Sequence, residues 1–278
     1  MASVYQVWLV PTNSSHMAKL RPFMDALRDR GHEVRLACVD LMQDPLFATR
    51  SQMEEAGYPF EVVPPDRFGG NRRMFEVIRG PGVRRAIDRF LAGRVGDAIV
   101  FGADTGLVSR AFIRVAAARG IPTVLVPDGL VLPPNPQYRG SLENRLVLGL
   151  CEVMWRAVGA KGDRGRSGVD LILVMNETGR AALIQSGVPA DRVQAVGSCE
   201  YDALAARLSA GLEQGEGERL RRRLGLPAGR PVVFFAHQGV VDVPTTRQHV
   251  LTMVSAVRRC GACVLVKFHP RLEQRLEE

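Results

Sequence analysis

Short apolar runs in this chain are followed directly by residues that could do chemistry. Within residues 120–145, the run Thr123 to Val126 ends abruptly at Pro127-Asp128-Gly129. An acidic residue beside a glycine, at the C-terminal mouth of a buried parallel strand, stands where open α/β sheets place ligands. A helix-like run, Thr105 to Arg119, and another apolar run, Ala98 to Phe101, come before it, so Asp104 and Asp128 are expected at one edge of one sheet. Asp104 has a second reading as the N-cap of the helix beginning at Thr105, and that reading is preferred. For Asp128, the alternative to a site residue is a plain turn residue before Gly129. Ser14, Ser15 and His16 close a small polar loop rich in groups that hydrogen-bond anions. Farther on, His237-Gln238-Gly239 follow the run Val232 to Ala236 and precede a helix, where backbone N–H groups can cradle a phosphate. His269-Pro270-Arg271 follow the next run, Val264 to Phe268. Two histidines at two successive strand ends point to contact with a phosphate-bearing ligand. His32 and His249 read as structural and surface residues. No spacing of His, Cys or Asp suits a metal ion, and no Asp-x-Asp motif is present.

The elements that must position these residues alternate. Val4 to Val10 reads as a strand, Met17 to Arg30 as a helix with Leu20, Phe23, Met24 and Leu27 at helical spacing, and Glu33 to Val39 as a second strand. No G-x-G-x-x-G fingerprint accompanies this unit, so a dinucleotide site of that kind is not expected. A helix over 47–58 and a strand over Phe60 to Val63 follow. Leu142 to Val158 reads as a helix, 159–168 as a glycine-rich charged loop, Leu171 to Met175 as a strand, Glu177 to Ser186 as a helix and Val193 to Val196 as a strand. The rhythm then breaks: Glu200 to Arg223 is helical with a polar interruption at 213–217. A second strand–helix–strand unit follows, its helix expected over Thr245 to Arg259.

With 278 residues and 46% apolar content, the chain has ample material for buried cores. No apolar run reaches the roughly eighteen residues of a membrane span, and the N-terminus lacks the basic region of a signal peptide. The five cysteines are scattered, and Cys260-Gly-Ala-Cys263 has no second pair, so reduced structural thiols in a cytoplasmic protein are expected. The net charge of +8 is carried by arginine, since Lys19, Lys161 and Lys267 are the only lysines. A basic surface favours phosphates, nucleotides or anionic lipid; no nucleic-acid-binding motif is present. The tract Asp66 to Arg94 holds Arg67, Arg72, Arg73, Arg79, Arg84, Arg85, Arg89 and Arg94, interleaved with Met74, Phe75, Val77, Ile78, Ile87 and Phe90. It reads either as a peripheral contact for anionic lipid at the inner membrane face or as two helices with solvated arginine faces, broken at Gly80-Pro81-Gly82. The second reading is preferred.

The order of these pieces resembles the GT-B glycosyltransferase superfamily and its non-transferase relatives, the UDP-N-acetylglucosamine 2-epimerases. His16, followed by Pro22-Phe-Met-Asp-Ala-Leu-Arg-Asp-Arg-Gly-His32-Glu-Val, looks like the superfamily's opening loop, helix and strand. In inverting members a histidine of that loop is the general base on the acceptor hydroxyl. The resemblance implies that role for His16; the plainer reading is a histidine capping its own loop. The stretch Val100-Phe-Gly-Ala-Asp-Thr105, Val126-Pro-Asp-Gly-Leu130 and Ser141-Leu-Glu-Asn-Arg145 is similar to an epimerase motif series, which adds Glu143 and Arg145 to Ser14, Ser15, Asp104 and Gly129 as acceptor-side residues. Met175-Asn-Glu-Thr through Gly197-Ser-Cys-Glu-Tyr-Asp-Ala-Leu204 looks like the strand and helix before the interdomain linker. Phe235-Ala-His237-Gln-Gly239 and Lys267-Phe-His269-Pro-Arg271 match the first half of the donor domain. The acidic-Gly and His-Pro pair also resembles bacterial sialyl- and Kdo-transferases, in which the acid is the base and the histidine steadies the nucleotide phosphate. Asp128 and His269 would take those parts.

The resemblance implies an α/β protein with two Rossmann-like domains: an acceptor domain over 1–198, a linker over 199–228 and a donor domain over 229–278. With two strands in 229–278, the second domain is expected to be incomplete or completed by another chain. The implied activity is metal-independent transfer of a sugar from a UDP- or CMP-linked donor to a hydroxyl acceptor of a cell-surface glycan or glycolipid, with no cofactor. The alternatives are an epimerase-like enzyme and a non-catalytic GT-B-like subunit of a homodimer or of a partner chain.

Overall fold

The computed structural model describes residues 3–12, 14–39, 49–63, 73–94, 96–104, 106–127, 168–236 and 243–268. The chain forms two compact units, Met1–Leu204 and Ala205–Glu278.

The first unit is built on seven parallel strands: β1 (Gln6–Val10), β2 (Glu33–Cys38), β3 (Phe60–Val62), β4 (Ala98–Phe101), β5 (Thr123–Leu125), β6 (Leu171–Val174) and β7 (Val193–Ala195). Their order in the sheet is β3-β2-β1-β4-β5-β6-β7. Strands such as Val-Trp-Leu-Val and Ala-Ile-Val-Phe are apolar on both faces because helices cover both. Beneath one face, Val7 and Leu9 of β1 join Leu20 and Met24 of α1 (Ser14–Asp29) and Met53 of α2 (Thr49–Ala56). On the other face, Trp8 and Val10 join Ile87 and Phe90 of α3 (Arg73–Leu91), Phe112 and Ile113 of α4 (Leu107–Ala118), and Leu183 of α5 (Glu177–Gln185). Phe112 meets Phe90 and Phe101 edge-on, with ring centroids 6.2 and 6.3 Å apart, a favoured aromatic geometry. Gly31 ends α1 in the left-handed region, φ 82°. There the Gly31 N–H donates to Arg28 O and the His32 N–H to Leu27 O, so the last carbonyls of the helix are satisfied.

Three elements differ from the sequence reading. α1 starts at Ser14, so His16 lies in its first turn and not in the loop before it. α4 starts at Leu107 with Gly106 as N-cap and no side-chain capping bond, so Asp104 is not its cap. The described part of the basic tract forms one helix, Arg73–Leu91, that continues through Gly80-Pro81-Gly82; Arg67 and Arg72 lie outside the described residues. Val83, Ala86, Ile87, Phe90 and Leu91 are buried along it at helical spacing, and that burial outweighs the local cost of glycine and proline. Arg84, Arg85 and Arg89 stay exposed, while Arg94 pairs with Glu61 at 2.5 Å. The sequence-expected helix over 142–158 lies outside the described residues.

In the second unit, α6 (Cys199–Glu213), which begins in the first, is followed by α7 (Glu216–Arg223), β8 (Val232–Ala236), α8 (Val243–Arg259) and β9 (Cys263–Lys267). β8 and β9 pair in parallel from Val232↔Cys263 to Ala236↔Lys267, so the residues after each strand leave from the same edge. Phe234 in β8 remains 57% exposed.

Candidate functional site

The strand order reverses between β1 and β4, which pair from Val7↔Ala98 to Val10↔Phe101. At such a switch point the connections leaving the two strands diverge and open a crevice at the C-terminal edge, where α/β sheets bind ligands. From β1 the chain passes through Pro11 and Thr12 into α1. From β4 it passes through Gly102 and Asp104 to Gly106 and α4. The N-termini of both helices therefore follow the crevice, and the positive ends of their dipoles favour an anion there.

His16 sits at this edge, 1% exposed. Its Nδ1 accepts the backbone N–H of Thr12 at 3.1 Å, and the Thr12 hydroxyl oxygen is 3.2 Å from the same nitrogen. A first-turn side chain thus reaches back to an N–H ahead of the helix and satisfies it. The ring packs on Gly102: a Cβ at that position would stand 2.6 Å from His16 Cγ and 2.9 Å from Nδ1. Only glycine leaves the histidine room. Asp104 is also buried, and its carbonyl oxygen accepts a 3.3 Å hydrogen bond from Nε of buried Arg110 in the first turn of α4. The structure thus brings two sequence candidates, His16 and Asp104, to the ends of adjacent strands.

Ser14 and Ser15 open α1; their side chains lie outside the described residues. Asp128, Gly129, Glu143, Arg145, His237, Gln238, Gly239, His269 and Arg271 also lie outside them. Pro127 is the last described residue after β5, whose Leu125 pairs with Phe101 of β4. β8 ends at Ala236, immediately before His237, and β9 ends two residues before His269.

Thr12, Gly102 and Arg110 are absent from the sequence candidates. Gly102 left a readable signal, since a glycine at a strand end marks a close approach. Thr12 and Arg110 carry no local mark, because their contacts depend on where the helices dock. In the basic tract, Ile87 and Phe90 are spent on the core. No described helix is long and apolar enough to cross a membrane. Among the described residues, no three His, Cys, Asp or Glu side chains group as metal ligands, and Cys199, Cys260 and Cys263 are not in disulfides.

Comparison with solved structures gives the same fold at low sequence identity. UDP-GlcNAc 2-epimerase from Neisseria meningitidis, bound to UDP-GlcNAc, superposes with a TM-score of 0.58 at 13% identity, over 95% of this chain and 66% of that one. UDP-GlcNAc 2-epimerase from Methanocaldococcus jannaschii gives 0.59 at 15%, over 98% and 68%. The glycotransferase of kitacinnamycin gives 0.56 at 13%, over 96% and 66%. This chain thus spans about two thirds of the length of these proteins. No curated protein matches in sequence. The family described as "Glycosyl transferase 4-like domain" matches residues 19–199, well over half of the chain and the whole succession from α1 into α6; the chain belongs to that family.

Proposed function

We propose that this chain is a glycosyltransferase of GT-B type that moves a sugar from a nucleotide-sugar donor to a hydroxyl acceptor. The observation that carries this reading is the family match over 19–199, together with buried His16 and Asp104 at the sheet's switch point. In the reaction, the acceptor oxygen bonds to the anomeric carbon as the bond from that carbon to the donor phosphate breaks. The nucleotide departs with the electron pair on its phosphate oxygen, and the acceptor's proton passes to a base, for which His16 and Asp128 are the candidates. His237, Gln238, Gly239, His269 and Arg271 would hold the donor phosphates. Ser14, Ser15, Asp104, Gly129, Glu143 and Arg145 would line the acceptor side. The donor is UDP- or CMP-linked, no metal ion takes part, and the acceptor belongs to a cell-surface glycan or glycolipid.

The second reading, an epimerase acting on UDP-GlcNAc, is favoured by the likeness to epimerase folds. Incubating the purified chain with UDP-GlcNAc and no acceptor separates the two. Free UDP, from slow transfer to water, supports the transferase, and an isomerised sugar still attached to UDP supports the epimerase. Thermal unfolding against UDP, CMP, CDP, GDP and dTDP tests the shared premise. A nucleotide at a hundred times its dissociation constant stabilises by about 2.7 kcal/mol, and no shift with any of them would overturn both readings.

A further inference from the structure

The sequence leaves His16 two roles, base or cap, and the geometry around its ring separates them. A backbone amide can only donate, so the 3.1 Å bond from the Thr12 N–H requires a bare lone pair on Nδ1. The single hydrogen of the neutral ring then sits on Nε2. A histidine poised as a base holds the opposite tautomer, with Nδ1–H given to a carboxylate or carbonyl and the Nε2 lone pair turned to the substrate. Neutral imidazole has one basic lone pair, and here the main chain takes it. A half-turn of the ring would put Cδ2 against the Thr12 amide and leave that donor without its acceptor beside a side chain only 1% exposed.

We infer that His16 is a positioning residue and not the proton acceptor. It ties the β1–α1 connection to the end of β4. The acceptor's proton then falls to another group, for which the Asp128 carboxylate is the sequence's candidate. The substrate side of this inference rests on the transferase reading; the tautomer does not.

The decisive measurement is a long-range 1H–15N spectrum of the full chain with labelled histidine, the His16 signals being assigned by their loss in His16→Asn. A bare Nδ1 with a protonated Nε2 is expected; a protonated Nδ1 overturns the inference whatever reaction the protein performs. Rescue supplies the second arm. In His16→Asn, the side-chain oxygen replaces Nδ1 as acceptor for the Thr12 amide but cannot take a proton. UDP release from UDP-GlcNAc with water as acceptor should stay within about tenfold of wild type in His16→Asn and fall further in His16→Ala, whereas loss of a general base costs both variants about 10²–10⁴-fold. Equal loss in the two variants, with unchanged unfolding temperatures, overturns the inference. If the wild type releases no UDP, UDP-GlcNAc is not its donor, and the tautomer still decides the role of His16.

Discussion

His16 and Gly102 occupy complementary space at the ends of α1 and β4: a methyl group on Gly102 would lie 2.6 Å from the imidazole Cγ. Gly96, just before β4 at its other end, is in the same position toward Trp8, with a Cβ 2.8 Å from Trp8 Cδ1. The two contacts lie at opposite edges of one sheet, and only the first is at the switch point.

That difference makes a paired test. Gly102→Ala and Gly96→Ala should each destabilise by about 1–3 kcal/mol through overpacking. Gly102→Ala should in addition displace the His16 ring and release the Thr12 amide, seen as faster hydrogen exchange at Thr12. Gly96→Ala should leave that amide protected. Differential scanning calorimetry and amide exchange on both variants check the outcome.

His237 and His269 follow β8 and β9, which run parallel and open at one edge. If both histidines contact a donor phosphate, His237→Ala and His269→Ala should each lose the nucleotide-induced rise in unfolding temperature while the unliganded unfolding temperature stays near wild type. A full shift retained in either variant would remove that residue from the donor site.

Asp128→Asn should separate binding from chemistry. A carboxylate that takes the acceptor's proton contributes about 10²–10⁴-fold to rate, so UDP release should drop by that factor. The nucleotide-induced thermal shift should persist. Loss of the shift with normal turnover would make Asp128 a binding residue.

Cys199 gives a pH prediction. Its thiol donates to Lys19 O at 3.9 Å, beside the Lys19–Glu200 ion pair at 3.7 Å, where α6 begins. Burial pushes the thiol above its ordinary 9.0, against the lowering effect of neighbouring backbone N–H groups. The folded state therefore favours the neutral thiol more than the unfolded chain does. The resulting stability is fully present below pH 9.0 and fades as the pH rises through the higher folded value. The gap in unfolding temperature between wild type and Cys199→Ala should narrow as the pH rises from 8 through and beyond the ordinary thiol value of 9.0. Iodoacetamide at pH 8 should modify exposed Cys260 well before Cys199, as read by peptide mass spectrometry.

The alternation of strands and helices was legible in the residues because local periodicity and end signals encode it. The expected strand Ala98 to Phe101 is β4 as observed, and the expected strand Val232 to Ala236 is β8. α3 was misread as two helices because Gly80-Pro81-Gly82 is a strong local breaker, while the burial that holds the helix together comes from residues distant in sequence. Asp104 was preferred as a cap because its spacing allowed it; the helix began later, and the residue is instead buried at the end of β4.

By itself, the sequence determined the α/β class, the alternation of strands and helices, the family resemblance and the polar residues that follow the apolar runs. The tertiary structure alone decided that β1 lies beside β4, which no local pattern specifies because strand pairing is a long-range choice made by burial on both faces. From that pairing follows the contact of His16 with Gly102. The helix start at Ser14 brings the Thr12 amide to Nδ1, and so decides which ring nitrogen carries the proton. A residue type could say that histidine is able to act as a base; only its neighbours could commit its lone pair elsewhere.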